Sequence, residues 1–167
     1  MQKSRVKDAK GRRFLIAEGA IVVALILFIV LTRLGGTASD VSIDSIRAAM
    51  DERVAGAELL IGDANDIREG FALDEAVYGE AYYRFSESGL DARQLLIVKC
   101  SDESALDAAY EKVNKYNDSQ MKVFRDYSPE QYSLLKKSVL WTRGSYLFYA
   151  VSESAGEWEE AFESLIR

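Results

Sequence analysis

One stretch constrains this chain before any other. Residues 14–34 read FLIAEGAIVVALILFIVLTRL, and from Ala20 to Leu31 every residue is apolar. At ~1.5 Å of rise per residue, a helix of about 21 residues crosses the ~30 Å hydrocarbon core of a bilayer. Ten large apolar side chains in that core contribute about −3 to −6 kcal/mol toward insertion. Glu18 opposes this, but it lies in the first turns, where a carboxylate reaches headgroup water. The run is therefore expected to be a transmembrane anchor.

Its orientation follows from charge. Lys3, Arg5, Lys7, Lys10, Arg12 and Arg13 precede the run against Asp8 alone, and only Arg33 closely follows it. Cytoplasmic flanks carry the excess of Lys and Arg, so the N-terminus is expected inside and the bulk of the chain outside the cytoplasm, at the cell membrane as a single-pass protein. The expected organisation is a basic cytoplasmic tail at 1–13, an anchor at 14–34, a Gly-containing linker at 35–40 and an extracytoplasmic domain at 41–167. Gly36-Thr37-Ala38 resembles a cleavage site before Ser39, but a cleavable signal has a shorter apolar core, so an uncleaved signal anchor is favoured. No cysteine follows the run, so no lipobox is present.

Phe14 and Glu18 also resemble the opening of a type IV pilin or pseudopilin helix. Two features depart from that pattern: Arg13 stands where Gly directly precedes the Phe, and Gly35-Gly36 interrupts the helix. A pilin-like subunit is the alternative reading.

Beyond Arg33 the chain carries 14 Lys/Arg against 25 Asp/Glu, a net charge of −11. Such a domain repels phosphates, so no nucleic-acid partner is expected. The single cysteine, Cys100, precludes an internal disulfide, and there is no histidine, the commonest general base and metal ligand.

The periodicity of the remainder predicts an α+β domain. Val41, Ile43, Ile46, Met50 and Val54 recur at helical spacing over about Ser42 to Val54, and Leu59-Leu60-Ile61 extends that apolar surface. Asp63 is placed to cap a short helix ending near Gly70. Ala81 to Phe85 and Gln94 to Cys100 (QLLIVKC) read as strands, paired through the turn chemistry of Ser86 to Asp91. A long helix follows from about Asp102 to Asp118 or a turn beyond, with Ser101 as its cap. Ser128-Pro129-Glu130-Gln131 then opens another as a capping box. Ser138 to Thr142 and Ser145 to Val151 flank Arg143-Gly144 as a hairpin. Ser154 to Glu157 is a further capping box, before a closing helix striped with Trp158, Ala161, Phe162 and Leu165. The expected architecture is a two-layer sandwich: an antiparallel sheet of about four strands with helices on one face.

No constellation for chemistry emerges. No G-x-S-x-G motif or glycine-rich phosphate loop occurs, and Cys100 ends an apolar strand, where a buried inert thiol is expected. Asp63-Ala64-Asn65-Asp66 resembles the start of a calcium loop, but Ile67 and Arg68 occupy the positions of a ligand and the turn glycine. A helix cap explains these residues. Glu159-Glu160 and Asp74-Glu75 are carboxylate pairs that a strongly acidic chain produces by chance; a carboxylate-dependent envelope enzyme is the third reading. The sequence offers no catalytic residues, and no cofactor and no metal are expected. Tyrosine joins apolar area to a polar tip and favours interfaces. Most of the tyrosines are nevertheless expected as half-buried sheet and helix residues; Tyr78, Tyr82, Tyr83, Tyr127 and Tyr132 are the candidates for an interaction surface where one is exposed.

The order of Tyr78, the strand QLLIVKC, a helix with Tyr116 and Gln120, the stretch Phe124-Arg125-Asp126-Tyr127-Ser128-Pro129-Glu130-Gln131-Tyr132 and a glycine-centred hairpin resembles a bacterial family. That family is the domain of unknown function numbered 4358, whose pattern includes a comparable F-x-x-Y-x-P stretch. The resemblance covers about Gly56 to Val151. It implies a small extracytoplasmic domain behind a signal or lipoprotein anchor, although this chain lacks the lipobox cysteine. It brings no activity, so no functional residues carry over. The expected function is a non-enzymatic, membrane-anchored domain that binds a protein or cell-envelope component.

Overall fold

The computed structural model describes residues 38–167. The expected tail at 1–13, the anchor at 14–34 and the first part of the linker lie outside the described residues. Among those that are described, no helix is long and apolar enough to cross a membrane.

Five helices and five strands make up this unit. Helix α1 is Ile43–Val54, its N-terminus capped by the Ser42 hydroxyl, and a short 3-10 turn at Ala55–Ala57 follows. Strand β1 is the two-residue Leu60–Ile61, an element the apolar triplet did not predict. Helix α2, Ala64–Phe71, starts at a reciprocal capping box in which Asp63 and Asp66 accept from each other's backbone N–H. That box accounts for the calcium-like run as a helix start. The helix ends at Phe71, next to the expected Gly70, and is closed by Ala72 in the left-handed region at φ 55°. The Ala72 carbonyl accepts from Lys112 Nζ at 2.6 Å.

Strands β2, Tyr78–Phe85, and β3, Gln94–Cys100, pair antiparallel with an irregularity between Tyr78 and Glu80. Helix α3 is longer than expected, Glu103–Tyr127, and is capped by Asp102 rather than Ser101. The weak helix formers Asn117-Asp118-Ser119 fall at the expected end near Asp118. The helix runs through it because the Tyr149 hydroxyl donates to Asn117 Oδ1 at 2.9 Å, giving the buried amide a partner. It stops at Ser128 (φ −144°, ψ 100°), as the residue before a proline must leave helical geometry. Helix α4 is Pro129–Leu135, strands β4 and β5 are Val139–Arg143 and Tyr146–Val151, and α5 is Ala155–Ile166. Two expected capping boxes are only partial or absent. Ser128 accepts from Gln131 N, but the Gln131 side chain turns elsewhere, and Ser154 makes no side-chain cap.

The sheet has five strands in the order β1-β2-β3-β5-β4, all antiparallel. Helices cover both of its faces, which corrects the expected two-layer sandwich to three layers. The reason lies in β3: Leu95, Leu96, Ile97 and Val98 are all 0 % exposed. Alternate residues of a strand point to opposite faces, so four consecutive buried residues require cover on both sides. Leu95 and Ile97 pack with Ile46 and Met50 of α1 and Trp158 and Phe162 of α5. Leu96, Val98 and Cys100 pack with Phe71 of α2, Leu106, Val113 and Phe124 of α3, and Leu135 of α4. Each such side chain contributes about 1.5–3 kcal/mol by leaving water.

The chain enters the unit at one end of this sheet. Ser39 N donates to Ile166 O at 2.7 Å, and the Tyr146 hydroxyl donates to Val41 O at 2.6 Å while accepting from Val41 N at 2.8 Å. Residues 38–40, expected as linker, are thus part of the folded unit. Gly144, at φ 60° in the β4–β5 turn, lies where a Cβ would come within 2.7 Å of Ala38 Cβ.

Candidate functional site

The opposite end of the sheet carries the most distinctive chemistry. There β2 turns into β3 through residues 86–93, and Ser86 N donates to Arg93 O at 3.0 Å to close the loop. Asp91 and Arg93 brace it: Arg93 Nη2 donates to Asp91 Oδ2 at 2.7 Å, Arg93 Nε to the same oxygen at 2.9 Å, and Arg93 N to Oδ1 at 3.0 Å. Arg93 Nη1 also reaches Ala57 O at 3.2 Å. Burial raises the Asp91 pKa, but the Arg93 hydrogen bonds outweigh it and leave the carboxyl below its usual range.

Beneath the loop lies a cleft of about 310 Å³ between the sheet and the second half of α3, lined by Phe85, Gln94, Tyr116, Gln120 and Phe124 and the loop itself. Its floor is polar and buried. Gln94 is 3 % exposed although it is polar and opens a strand whose next four residues are apolar. Period-two alternation puts it on the same face as Leu96, Val98 and Cys100, directly under α3. A buried amide without partners costs about 1–3 kcal/mol, and here each end is met. The Tyr83 hydroxyl donates to Gln94 Oε1 at 3.3 Å, and Gln94 Nε2 donates to the Tyr116 hydroxyl at 3.3 Å and to Ala92 O at 3.4 Å. Ala92 N in turn donates to Gln131 Oε1 at 2.9 Å, so α4 holds the loop in place.

The walls are aromatic. Phe85 stacks on Tyr83 at 5.1 Å and 14°, and Phe71 meets Tyr83, Tyr116 and Tyr149 behind them. Burial raises the pKa of Tyr83, with Tyr116 and Asp66 adding to it, and burial raises Tyr116 against the Gln94 hydrogen bond. These phenols stay protonated at neutral pH and act as hydrogen-bonding groups. The Tyr116 oxygen accepts from Gln94, and its own proton meets no acceptor among the described residues. The cleft therefore offers one uncommitted donor at its floor, a half-buried amide at Gln120 and a hydrophobic wall.

The candidate tyrosine surface is not continuous, and three of its five members are packing residues. Tyr78, Tyr82 and Tyr83 are 3 %, 1 % and 7 % exposed and belong to the core, Tyr82 on the α1/α5 side and the other two on the α3 side. Their strand is covered on both faces, so aromatic residues that resembled an interface are packing residues. Tyr127 is 63 % exposed. Tyr132 is half-buried with Lys136 Nζ 5.0 Å from its ring centre. Of the five, only Tyr83 reaches the cleft. Asp74 and Glu75 are exposed, as is Glu160. Neither carboxylate pair lines the cleft. Gln94 was missed as a site residue; a lone amide sharing a face with three buried apolar residues was the available signal.

At the chain-entry end a second cleft of about 380 Å³ includes Cys100, Asp102, Leu106 and Arg143. Burial, aided by Asp102, pushes the Cys100 thiol up to about 11, so it remains a thiol at neutral pH. Among the described residues no group of three or more Cys, Asp or Glu is placed to hold a metal ion.

A family model described as "Domain of unknown function (DUF4358)" matches residues 52–152, close to the span expected from the motif order. No curated protein and no solved structure matches the chain. The matched span contains every residue of the cleft.

Proposed function

We propose, from the premise that the chain belongs to the family of domains of unknown function numbered 4358, that this protein is a membrane-anchored, extracytoplasmic binding domain whose cleft over Gln94 holds part of a protein or envelope component without chemically altering it. The observation that carries the reading is the hydrogen bond between buried Gln94 and half-buried Tyr116, under a loop that is itself held by Gln131. Neutral amides and phenols at a cleft floor orient a ligand; they are poor acids and bases at neutral pH. The apolar run at 14–34 and the six cations before it support the anchor and its direction. The domain's negative charge supports a partner other than nucleic acid or an anionic lipid surface.

The anchor and the binding site are tested separately. A C-terminally tagged full-length chain should fractionate with membranes and lose its domain to protease added to intact spheroplasts; a soluble or protected chain would remove the anchored reading. N-terminal sequencing decides the pilin-like alternative, motivated by Phe14 and Glu18, which requires a cut directly before Phe14. For the site, a photo-crosslinking residue at the rim position Glu87 should trap a partner in cells. The same probe at Lys112, placed on α3 against the Ala72 carbonyl, should not. Equal trapping at both positions would count against the cleft.

A further inference from the structure

The cleft's chemistry narrows the ligand class, and the inference rests on the binding role just proposed. Its floor presents one hydroxyl proton, that of Tyr116, whose oxygen is already engaged by Gln94. A ligand reaching that floor must bring an acceptor. The adjacent Gln120 amide can donate as well as accept. The rim argues against a carboxylate acceptor: Glu87 stands beside it, and the nearby guanidinium of Arg93 is already neutralised by Asp91 and bound to Ala57 O. The wall argues for a flat group, because Phe85, stacked on Tyr83, and Phe124 line the space above the floor. Rings prefer offset-stacked or edge-on neighbours.

We infer that the cleft between the β2–β3 loop and α3 takes a neutral aromatic amide, with its carbonyl oxygen on the Tyr116 hydroxyl and its ring against Phe85 and Phe124. An aromatic residue of a peptide and a free aromatic carboxamide share this chemistry. The volume of about 310 Å³ suits one such group rather than an extended chain.

The test uses the full-length chain in nanodiscs, with the Gln94 side-chain NH2 and the Gly89 amide followed by NMR. Benzamide and N-acetyl-tyrosinamide should both shift these signals, and benzoate should bind at least ~10-fold more weakly because of the acidic rim. Tyr116→Phe should weaken benzamide about 3- to 10-fold, the effect of one neutral hydrogen bond. Gln120→Ala, at a half-buried helix position, should weaken it without altering the fold. Binding of the peptide amide favours a protein segment as the source, and binding of benzamide alone favours a small envelope molecule; both support the inference. Benzoate binding as well as benzamide, or Tyr116→Phe without effect, would overturn it. If rim crosslinking at Glu87 persists while neither amide moves Gln94, the ligand class is wrong and the binding role survives.

Discussion

The two faces of the sheet are built to different rules. The face under α1 and α5 packs Phe148, Phe162 and Trp141 in near-parallel stacks, with ring centres 5.3 to 5.7 Å apart, against Ile46, Met50, Leu95 and Ile97. The face under α2, α3 and α4 is equally buried but threaded with polar groups: Tyr83, Gln94 and Tyr116 in one chain of hydrogen bonds, Tyr149 and Asn117 in another. Dry packing gives stability and tolerates little change of volume. A satisfied polar network adds little net stability, since each bond replaces one with water, but it fixes the side chains that could meet a ligand. On the binding role proposed above, the contrast places stability mainly on one face and recognition on the other.

The largest expected effect tests the dry face. Phe162→Ala removes a fully buried ring and should cost about 3–5 kcal/mol in chemical denaturation. In the fraction that remains folded, the Gln94 side-chain resonances should keep their positions, because no atom of Phe162 reaches the cleft. A shifted Gln94 would mean that the sheet transmits packing changes between its faces.

On the polar face, removal of one partner should matter more than removal of both. Tyr149→Phe leaves Asn117 Oδ1 buried without its donor and should cost about 1–3 kcal/mol. Pairing it with Asn117→Leu should recover part of that loss, and a double variant no better than the single would show that the amide finds another partner. The same face predicts alkaline lability. Burial raises the pKa of Tyr83, Tyr116 and Tyr149, the last well above its usual value. Groups that hold their protons more tightly when folded contribute stability that is intact below the ordinary tyrosine pKa of ~10 and is lost as pH rises beyond it. Phenolate absorbance from these residues should therefore rise together with loss of helical circular dichroism above about pH 10. Full ionisation of the set in a chain that is still folded would contradict their burial.

A smaller effect separates the loop from its support. Gln131→Leu removes the acceptor for Ala92 N and should cost about 0.5–1.5 kcal/mol while raising hydrogen exchange at Ala92. Binding at the cleft should weaken further than stability does, since the loop forms its rim.

Much of this was legible in the residues. Apolar periodicity located α1, α5 and the central strand, and Ser128-Pro129 located the start of α4. The layer count was misread although its signal was present: QLLIVKC has no polar alternation, and such a run belongs to a strand covered on both sides. The site was harder to see. Aromatic residues drew attention to Tyr78 and Tyr82, whereas the cleft depends on Gln94, Tyr116 and Gln131, which lie far apart in sequence. Only strand register and the rotation of α3 bring them together, and neither is written in local pattern. At the start of α3 the expected cap, Ser101, gives way to its neighbour Asp102, whose charged carboxylate is the stronger acceptor for Ala105 N.

The smallest effect concerns the margin of the dry face, at an ionic cluster between β2 and α1. Arg84 of β2 pairs with Asp51 of α1, and the Tyr82 hydroxyl donates to the same carboxylate oxygen at 2.8 Å. Burial raises the Asp51 pKa, but the hydrogen bonds from Arg84 and Tyr82 and the charges of Arg84 and Arg47 outweigh it, so the carboxyl titrates below its ordinary value. A depressed carboxylate contributes stability that is present above the unfolded pKa of ~3.9 and disappears as pH falls through the folded value. The Asp51 side chain is 40 % exposed, so solvent screens the pair and the contribution should be at most about 1 kcal/mol. Asp51→Asn should thus lower stability slightly and equally from pH 7 down to about 5, with the difference from the natural chain closing in stronger acid. A difference that persists at pH 2, or one several times larger at neutral pH, would mean that this cluster is part of the core. The division between a dry face for stability and a polar face for recognition would then need redrawing at β2.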